Sequence, residues 1–364
     1  MPRHTFPPAT PQDDAALRAR MAADWMRGPL SVSFRREPNY FAGSALQGEA
    51  PQVHVCRDTA SGAVVGMAAR LMARCWVNGD AQRVGLLSDL RLAPEARGGT
   101  LLARGFKVLR QLHAADPVPL YLTAIVEGNQ AALRSIATGR AGLPTYRDLG
   151  RMLTPAIHLD FERPALAVPG VAFRRATAQD AGALAELHRA AAPHRQFSRV
   201  IDVDALPPGL RITDFFVAER GSQLLAAIAA WDQHALRQTH IEAYTPWLAA
   251  LRPLYNLAAQ ALPIKPLPAP GERIPYLYLS HALARGDDLA VWRGLLRHAY
   301  RALRTGPWHY AICSLHERDP LAAALRDYRR IGAAGRIFAV HYPEDAPAAD
   351  ALDARVPYVD MARL

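Results

Sequence analysis

The segment from Leu86 to Leu112 constrains the fold more than any other part of this chain of 364 residues. Its first part is predicted to be a buried strand, because apolar residues fall on both faces and Pro94 ends strand pairing. Gly98 and Gly99 permit a tight turn, after which a helix begins. The positive end of that helix, with Arg97 beside it, favours a bound anion such as a pyrophosphate, although an ordinary strand-to-helix turn has the same pattern.

A second strand and helix follow at once. Leu120 to Val126 is apolar, and Glu127-Gly128-Asn129 leads into a helix predicted from Gln130 to Ala137. The order of strand, Arg/Gly turn, helix, strand, Asn and helix resembles the acyl-CoA-binding half of the GNAT family of N-acetyltransferases. The resemblance implies that the first strand pairs with the pantetheine arm of acetyl-CoA (coenzyme A) and that the turn holds its pyrophosphate.

The resemblance also assigns cofactor contacts to particular residues of the strand, the turn and the second helix start. These are Leu90, Arg91, Leu92, Arg97, Gly98, Gly99, Thr100 and Asn129. The family turn is Arg/Gln-x-x-Gly-x-Gly/Ala. Counted from Arg97, Thr100 and Leu102 stand where the glycines are expected, so the motif is degenerate.

Acyl transfer to an amine needs a base for the amine proton and an acid for the leaving thiolate. The resemblance makes Asp89, on the cofactor strand, and Glu127, at the end of the next strand, the candidate bases. A surface position or an ion pair with a nearby arginine explains Asp89 equally well. Ile136 stands near the place of the family's usual tyrosine acid, so Tyr146 is the candidate acid, provided that its loop folds back.

A short repeat indicates two related halves. Ala9–Leu17 recurs as Ala176–Leu184, with six of nine residues identical and an offset of 167. In both copies a threonine and an aspartate three residues later form an acidic variant of the capping box, which an alanine-rich chain can also repeat without duplication. The offset is about one domain long, and this favours duplication.

We therefore predict an α+β protein of two tandem acetyltransferase-like domains, each with a mixed, mostly antiparallel sheet flanked by helices. The first domain, residues 1–160, is predicted to bind acyl-CoA, and residues 161–170 form a short linker. The second, residues 171–364, is predicted to be degenerate, because Asp287 and Asp288 cap its helix and repel a pyrophosphate.

Two further segments are open to more than one interpretation. Ser31–Phe41 places arginines among aromatic residues and fits a solvated loop or a part of the acceptor pocket. In the second domain, an insertion contains a helix from about Trp247 to Leu262 and a proline-rich extended loop. That loop either covers a pocket or braces the surface.

Composition narrows the function classes. The net charge is +10, but only Lys107 and Lys265 among the 43 basic residues are lysines, which indicates coding bias and not selection for phosphate binding. No nucleic-acid partner is predicted, since no run of like charge appears. Three scattered cysteines indicate reduced thiols and no metal site. The chain has no run of about 20 apolar residues and no apolar signal core, so no membrane partner is predicted and a cytoplasmic location is expected.

The predicted activity is transfer of an acetyl group from acetyl-CoA to an amine of a small molecule or peptide. The alternative is an inactive protein of the same fold that senses acyl-CoA or a metabolite as a binding or regulatory module. A monomer, acting as an internal pseudo-dimer, or a homodimer is expected. The acceptor is not predicted, because variable loops build its pocket.

Overall fold

A computed structural model describes residues 3–97, 99–136 and 143–364 of the chain. The α-helices are α1 (Asp14–Ala23), α2 (Tyr40–Ala45), α3 (Leu101–Ala115), α4 (Gln130–Ile136), α5 (Ala181–Ala191), α6 (Pro246–Ala261), α7 (Leu289–Arg304) and α8 (Ala346–Asp350). The strands are β1 (His4–Thr5), β2 (Leu30–Arg35), β3 (Glu49–Asp58), β4 (Val64–Val77), β5 (Asp80–Leu92), β6 (Tyr121–Val126), β7 (Thr145–Leu153), β8 (Ala156–His158), β9 (Ala172–Arg175), β10 (Arg195–Gln196), β11 (Phe215–Arg220), β12 (Gln223–Trp231), β13 (Gln238–Tyr244), β14 (Tyr276–Ala284), β15 (Tyr310–Cys313), β16 (Leu315–His316), β17 (Arg330–Ile331), β18 (Ala334–His341) and β19 (Val356–Pro357).

Two large sheets organise the molecule. The first has the order β1-β3-β4-β5-β6-β18-β7-β16, and the second has the order β17-β8-β15-β14-β12-β11-β9. Each contains one parallel pair, β5 with β6 and β14 with β15, among antiparallel neighbours. Buried side chains of α1 and α3 pack on the first sheet, and those of α5 and α7 pack on the second. This arrangement confirms the predicted α+β fold with two tandem domains.

The two halves of the chain exchange strands. β18, which comes late in the sequence, lies between β6 and β7 and pairs with both. In return β8, from the first half, lies between β15 and β17 of the second sheet. The sheets therefore do not divide at the predicted linker, 161–170, because residues 334–341 belong to the first sheet and residues 156–158 to the second.

A small additional sheet also joins the halves. The segment interpreted as a loop or pocket, residues 31–41, forms most of β2, which pairs antiparallel with β13 from Leu30–Tyr244 to Arg35–Gln238. Sequence periodicity did not reveal this pairing, because the partner strand lies about 200 residues away. The pairing fixes the position of the chain that follows β2, which contributes to the candidate site.

The repeated segments begin their helices in the same way. The Asp13 carboxylate accepts a hydrogen bond from the Thr10 backbone N–H at 2.8 Å, and Asp180 accepts one from Thr177 at 2.7 Å. The helices that follow, α1 and α5, start 167 residues apart. Both predicted capping boxes are confirmed, and they lie at equivalent places in the two domains.

Candidate functional site

The parallel strands β5 and β6 diverge soon after they meet. They pair only at Gly85–Tyr121 and Leu86–Leu122. The Thr123 hydroxyl donates to the Leu87 carbonyl at 2.9 Å, at the last point of contact. Beyond it, β5 stays paired with β4 alone. The opening between the two strand ends leaves one edge of β5 available to an extended ligand.

A β-bulge lies in β5 at this opening. The register with β4 shifts between Met67 and Ala69, and Asp89 opposite the shift has a φ of +54°. A left-handed conformation is uncommon for a residue other than glycine, and such residues concentrate at functional sites. The bulge turns the Asp89 side chain toward the chain between β2 and α2.

The Asp89 carboxylate is held by two donors. Its Oδ2 lies 2.6 Å from Nη2 of Arg36, and it accepts a hydrogen bond from the Tyr40 hydroxyl at 2.8 Å. The Arg36 guanidinium also donates to Gln47 Oε1 at 2.7 Å, and Arg36 is only 2% exposed. Burial, followed by the Asp89 charge, raises the pKa of Tyr40 well above its usual range. The structure thus contains the ion pair with an arginine that was one of the explanations of Asp89. The role of Asp89 as a base stays a prediction.

The second candidate base, Glu127, is also paired. It lies at the exposed end of β6 and accepts two hydrogen bonds from Arg151, at 2.9 and 2.7 Å. These bonds lower the pKa of the Glu127 carboxyl. Its role as a base stays a prediction, and the pairing makes it a weaker proton acceptor.

Tyr146 lies on β7 in an apolar cluster with Ile125 and Leu133. Its ring packs edge-on against Phe338 of the exchanged strand, with 6.0 Å between ring centroids. Burial raises the pKa of Tyr146 above its usual range, so the hydroxyl keeps its proton. Phe338 holds the Tyr146 ring beside α4, which follows the opening. The role of Tyr146 as the acid stays a prediction.

Positive charge gathers beside the turn that follows β5. Arg97 donates to Asp24 Oδ1 at 3.2 Å. Arg20 lies 3.2 Å from the same oxygen, and Arg91 lies 4.0 Å from Oδ2. Three guanidinium groups share one carboxylate, so the cluster has a net positive charge where a pyrophosphate is predicted.

The turn itself has space for a ligand. A Cβ atom added at Gly99 would meet no other atom within 4 Å. Thr100 precedes α3, and its side chain makes no capping hydrogen bond to that helix. Gly98 lies outside the described residues.

Among the other residues predicted to contact the cofactor, Asn129 and Leu92 form hydrogen bonds within the protein, and Leu90 is exposed. Asn129 Oδ1 accepts a hydrogen bond from the Ala132 N–H at 3.1 Å and so caps α4. The Leu92 carbonyl accepts from Arg97 Nε at 2.9 Å. Leu90 is 47% exposed at the opening. The cofactor roles of these residues stay predictions.

The equivalent place in the second domain is filled. β14 pairs in parallel with β15 and has its own bulge at His281, with a φ of +53°. The His281 N–H donates to Asp360 at 3.1 Å, and the Ala282 N–H donates to the Tyr358 hydroxyl at 2.8 Å. A cavity of about 10 Å³ remains beside them. The segment after β19 therefore occupies the second cleft and binds the bulge backbone.

The turn of the second domain also has its own partners. Asp287 makes two hydrogen bonds with Arg195, at 2.9 and 2.5 Å. Asp288 accepts from the Ala290 and Val291 N–H groups at 2.9 and 3.0 Å, which confirms that it caps α7. Two of the first N–H groups of this helix are therefore already paired with a carboxylate and not free to bind a phosphate.

One further group of side chains has metal-ligand types. Among the described residues, His113, Glu344 and Asp345 bring possible ligand atoms within 4.8 Å of one another. His113 lies near the end of α3, and Glu344 and Asp345 follow β18. All three are remote from the bulge in sequence. Arg110 already forms an ion pair with Glu344, so the cluster is explained as a charge network.

Several functional candidates were missed from the sequence. Arg36 was noted among aromatic residues, but its partner Asp89 is 53 residues away. Tyr40 and Gln47 complete the same network, and Arg20 joins the basic cluster. The arginine-rich segment before α2 was the available signal, and nothing local connected it to the bulge.

Solved structures with the same fold are acyltransferases of low sequence identity. Saccharomyces cerevisiae N-myristoyltransferase with bound myristoyl-CoA matches with a TM-score of 0.61 and 9% identity over 94% of this chain and 83% of that one. A GCN5-related glucosamine N-acetyltransferase region of a fungal β-N-acetylglucosaminidase gives 0.61 and 12% over 93% of this chain and 38% of that one. A GCN5-related N-acetyltransferase from Kribbella flavida gives 0.50 and 13%, over 96% and 73%.

No family model and no curated protein matches the sequence. The structural likeness therefore carries the assignment of fold. It agrees with the divergent parallel pair and the strand bulge that both domains contain. The chain therefore has the fold of the GCN5-related N-acetyltransferases, in two tandem domains.

Proposed function

We propose that the protein is an N-acyltransferase that binds one acetyl-CoA in its first domain and acetylates an amine of a small molecule or peptide. The observation that carries the proposal is the difference between the two clefts. Tyr358 and Asp360 fill the second, whereas the divergence of β5 from β6 leaves the first available. The neighbours whose names include an acyl-CoA or an acetyltransferase activity support the same class of reaction.

The basic cluster supports the orientation of the cofactor. Arg20, Arg91 and Arg97 surround Asp24 next to the uncapped start of α3. A pyrophosphate there gains both the charge of the guanidinium groups and the helix N-terminus. The pantetheine arm then runs along the edge of β5 toward the bulge at Asp89.

Calorimetric titration with acetyl-CoA tests this arrangement. We expect one site per chain. Gly99→Asp places a carboxylate at the anion site without a steric clash, and we expect at least tenfold weaker binding, about 1.4 kcal/mol or more. Unchanged affinity in this variant would contradict the assignment of the turn.

Gly182→Asp is the matched control. A Cβ at Gly182 also meets no atom within 4 Å, and the residue lies in the first turn of α5, where an acid is tolerated. We expect this variant to bind acetyl-CoA as the unchanged protein does. A similar loss in both variants would show a general effect of added negative charge.

Catalysis is tested by release of free thiol from acetyl-CoA with a panel of amines, amino acids and peptides. Turnover with any acceptor supports an enzyme. The alternative, a sensor of acyl-CoA, has its own supporting observation, since ion pairs hold both candidate bases, Asp89 and Glu127. Firm cofactor binding without turnover on the whole panel would favour that alternative.

A further inference from the structure

Helix α6 directs two polar side chains, Arg252 and Asn256, toward the protein, whereas four of its large apolar side chains are exposed. Its exposed large residues are 49 to 66% exposed: Trp247, Leu251, Leu254 and Leu257. At about 100° per residue these four side chains fall within an apolar stripe about 120° wide. No residue of α6 is buried.

The inner side of α6 is fastened by hydrogen bonds. Arg252 Nε donates to the Leu267 carbonyl at 3.0 Å. Asn256 exchanges two hydrogen bonds with the backbone of Leu267, at 3.0 and 2.8 Å. The proline-rich loop is therefore a brace for α6, one of its two predicted roles. The helix is held with its apolar stripe outward.

The size of the stripe favours a lipid surface over a second copy of the chain. A helix of 16 residues is about 24 Å long and, at about 10 Å wide, offers about 240 Å². Stable interfaces need about 800 Å² on each partner. An interfacial helix needs only an apolar face of this size together with attraction to charged headgroups.

The charges around α6 fit an anionic surface. The helix has no acidic side chain, and its one charged residue, Arg252, lies on the inner side and is bonded to the loop. Arg27 and Arg273 are exposed, and neither pairs with an acid within the described ranges. Arg27 precedes Pro29, whose carbonyl accepts from the Thr245 N–H at the helix start.

We infer that α6 docks the protein on anionic lipid bilayers, lying in the interface with its leucines and Trp247 toward the acyl chains. The sequence predicted no membrane partner because no apolar run is long enough to span a bilayer. Within the described residues, no helix is long and apolar enough to cross one. A helix that lies flat in the interface needs no such length.

Sedimentation with vesicles of phosphatidylglycerol and phosphatidylcholine tests the inference. We expect the unchanged protein to bind these vesicles, to bind pure phosphatidylcholine less, and to be released by added salt. The double variant Leu251→Glu, Leu254→Glu should bind at least tenfold more weakly. It should fold normally, since neither side chain is in the core.

Leu166→Glu is the control, because Leu166 is an exposed leucine, 39% exposed, in the segment before β9. It should bind vesicles as the unchanged protein does. Absence of vesicle binding, or equal binding by the double variant, would overturn the inference. Dimers in sedimentation velocity that the double variant abolishes, without vesicle binding, would assign the stripe to a second copy.

Discussion

Because Asp89 forms an ion pair with Arg36, a substitution of Asp89 can change both catalysis and the structure of the site. Both side chains are buried, and the Arg36 guanidinium also binds Gln47. Removing one partner of a buried ion pair leaves an uncompensated charge. A loss of activity at Asp89 therefore has two explanations, a lost proton acceptor or a disturbed site.

We predict that Asp89→Asn lowers the free energy of unfolding by about 3 kcal/mol, because Arg36 stays buried without its counter-charge. Urea denaturation measures this. Adding Arg36→Met to Asp89→Asn should recover part of the loss. Glu127→Gln, at an exposed pair, should leave stability unchanged. Equal stability of Asp89→Asn and the unchanged protein would show that the ion pair is not structural.

At the scale of single residues, the sequence predicted some positions and not their partners. It placed Asp89 on the strand before the Arg/Gly turn and Asp288 at a helix cap, since both depend on neighbours in the chain. It could not connect Asp89 with Arg36, or Arg20 with Arg97, because those contacts form only when α1 and β2 pack against β5. Distant ion pairs depend on packing, which local patterns do not contain.

Among the elements, α5 and β14 bury two histidines together. The rings of His188 and His281 lie 6.0 Å apart between centroids. Burial lowers the pKa of each imidazole to about 3. Both rings are therefore neutral in the folded state, and both are buried.

We predict that the protein loses stability as the pH falls from about 6.5 toward 3. In that range the unfolded chain binds protons at these histidines and the folded chain does not, so unfolding is favoured. Each ring accounts for about 2 kcal/mol between pH 7 and pH 5. Urea unfolding at the two pH values measures the loss.

His188→Leu isolates the contribution of one ring. Both ring nitrogens of His188 are buried without a hydrogen-bond partner. The variant should lose about 2 kcal/mol less between pH 7 and pH 5 than the unchanged protein. The same pH dependence in both proteins would assign the acid sensitivity to other groups.

Most single elements were predictable. The strand predicted from Leu120 to Val126 and the helix predicted from about Trp247 to Leu262 appear as β6 and α6, within one residue of each predicted limit. The spacing of apolar residues and the residues that begin or end an element are local properties of the sequence, and they suffice to predict such elements. The short strands β2, β8 and β18 were missed or misassigned, because their partners come from the other half of the chain.

For the whole molecule, strand exchange makes each domain depend on the other. β18 supplies the buried residues Ile337 and Val340 to the first domain, and β8 supplies Ile157 to the second. Without β18 the facing edges of β6 and β7 are unpaired, and without β8 the facing edges of β15 and β17 are unpaired. Such edges promote aggregation.

We predict that residues 1–170 and residues 171–364, each expressed alone, aggregate or stay unfolded, and that they form a soluble complex when expressed together. Size-exclusion chromatography and cooperative thermal unfolding measure this. The complex should bind acetyl-CoA and neither fragment should. A soluble, cooperatively unfolding fragment 1–170 would contradict the dependence on β18.

The position of β18 also sets the order of assembly during synthesis. Residues 334–341 leave the ribosome after about 330 others, yet they lie inside the first sheet, between β6 and β7. The first half must wait on the ribosome with a gap between β6 and β7, since domains fold as their chain emerges. A chain cut short by early termination then lacks an ordered first domain, so the proposed acyl-CoA cleft exists only in chains that have been read through to β18.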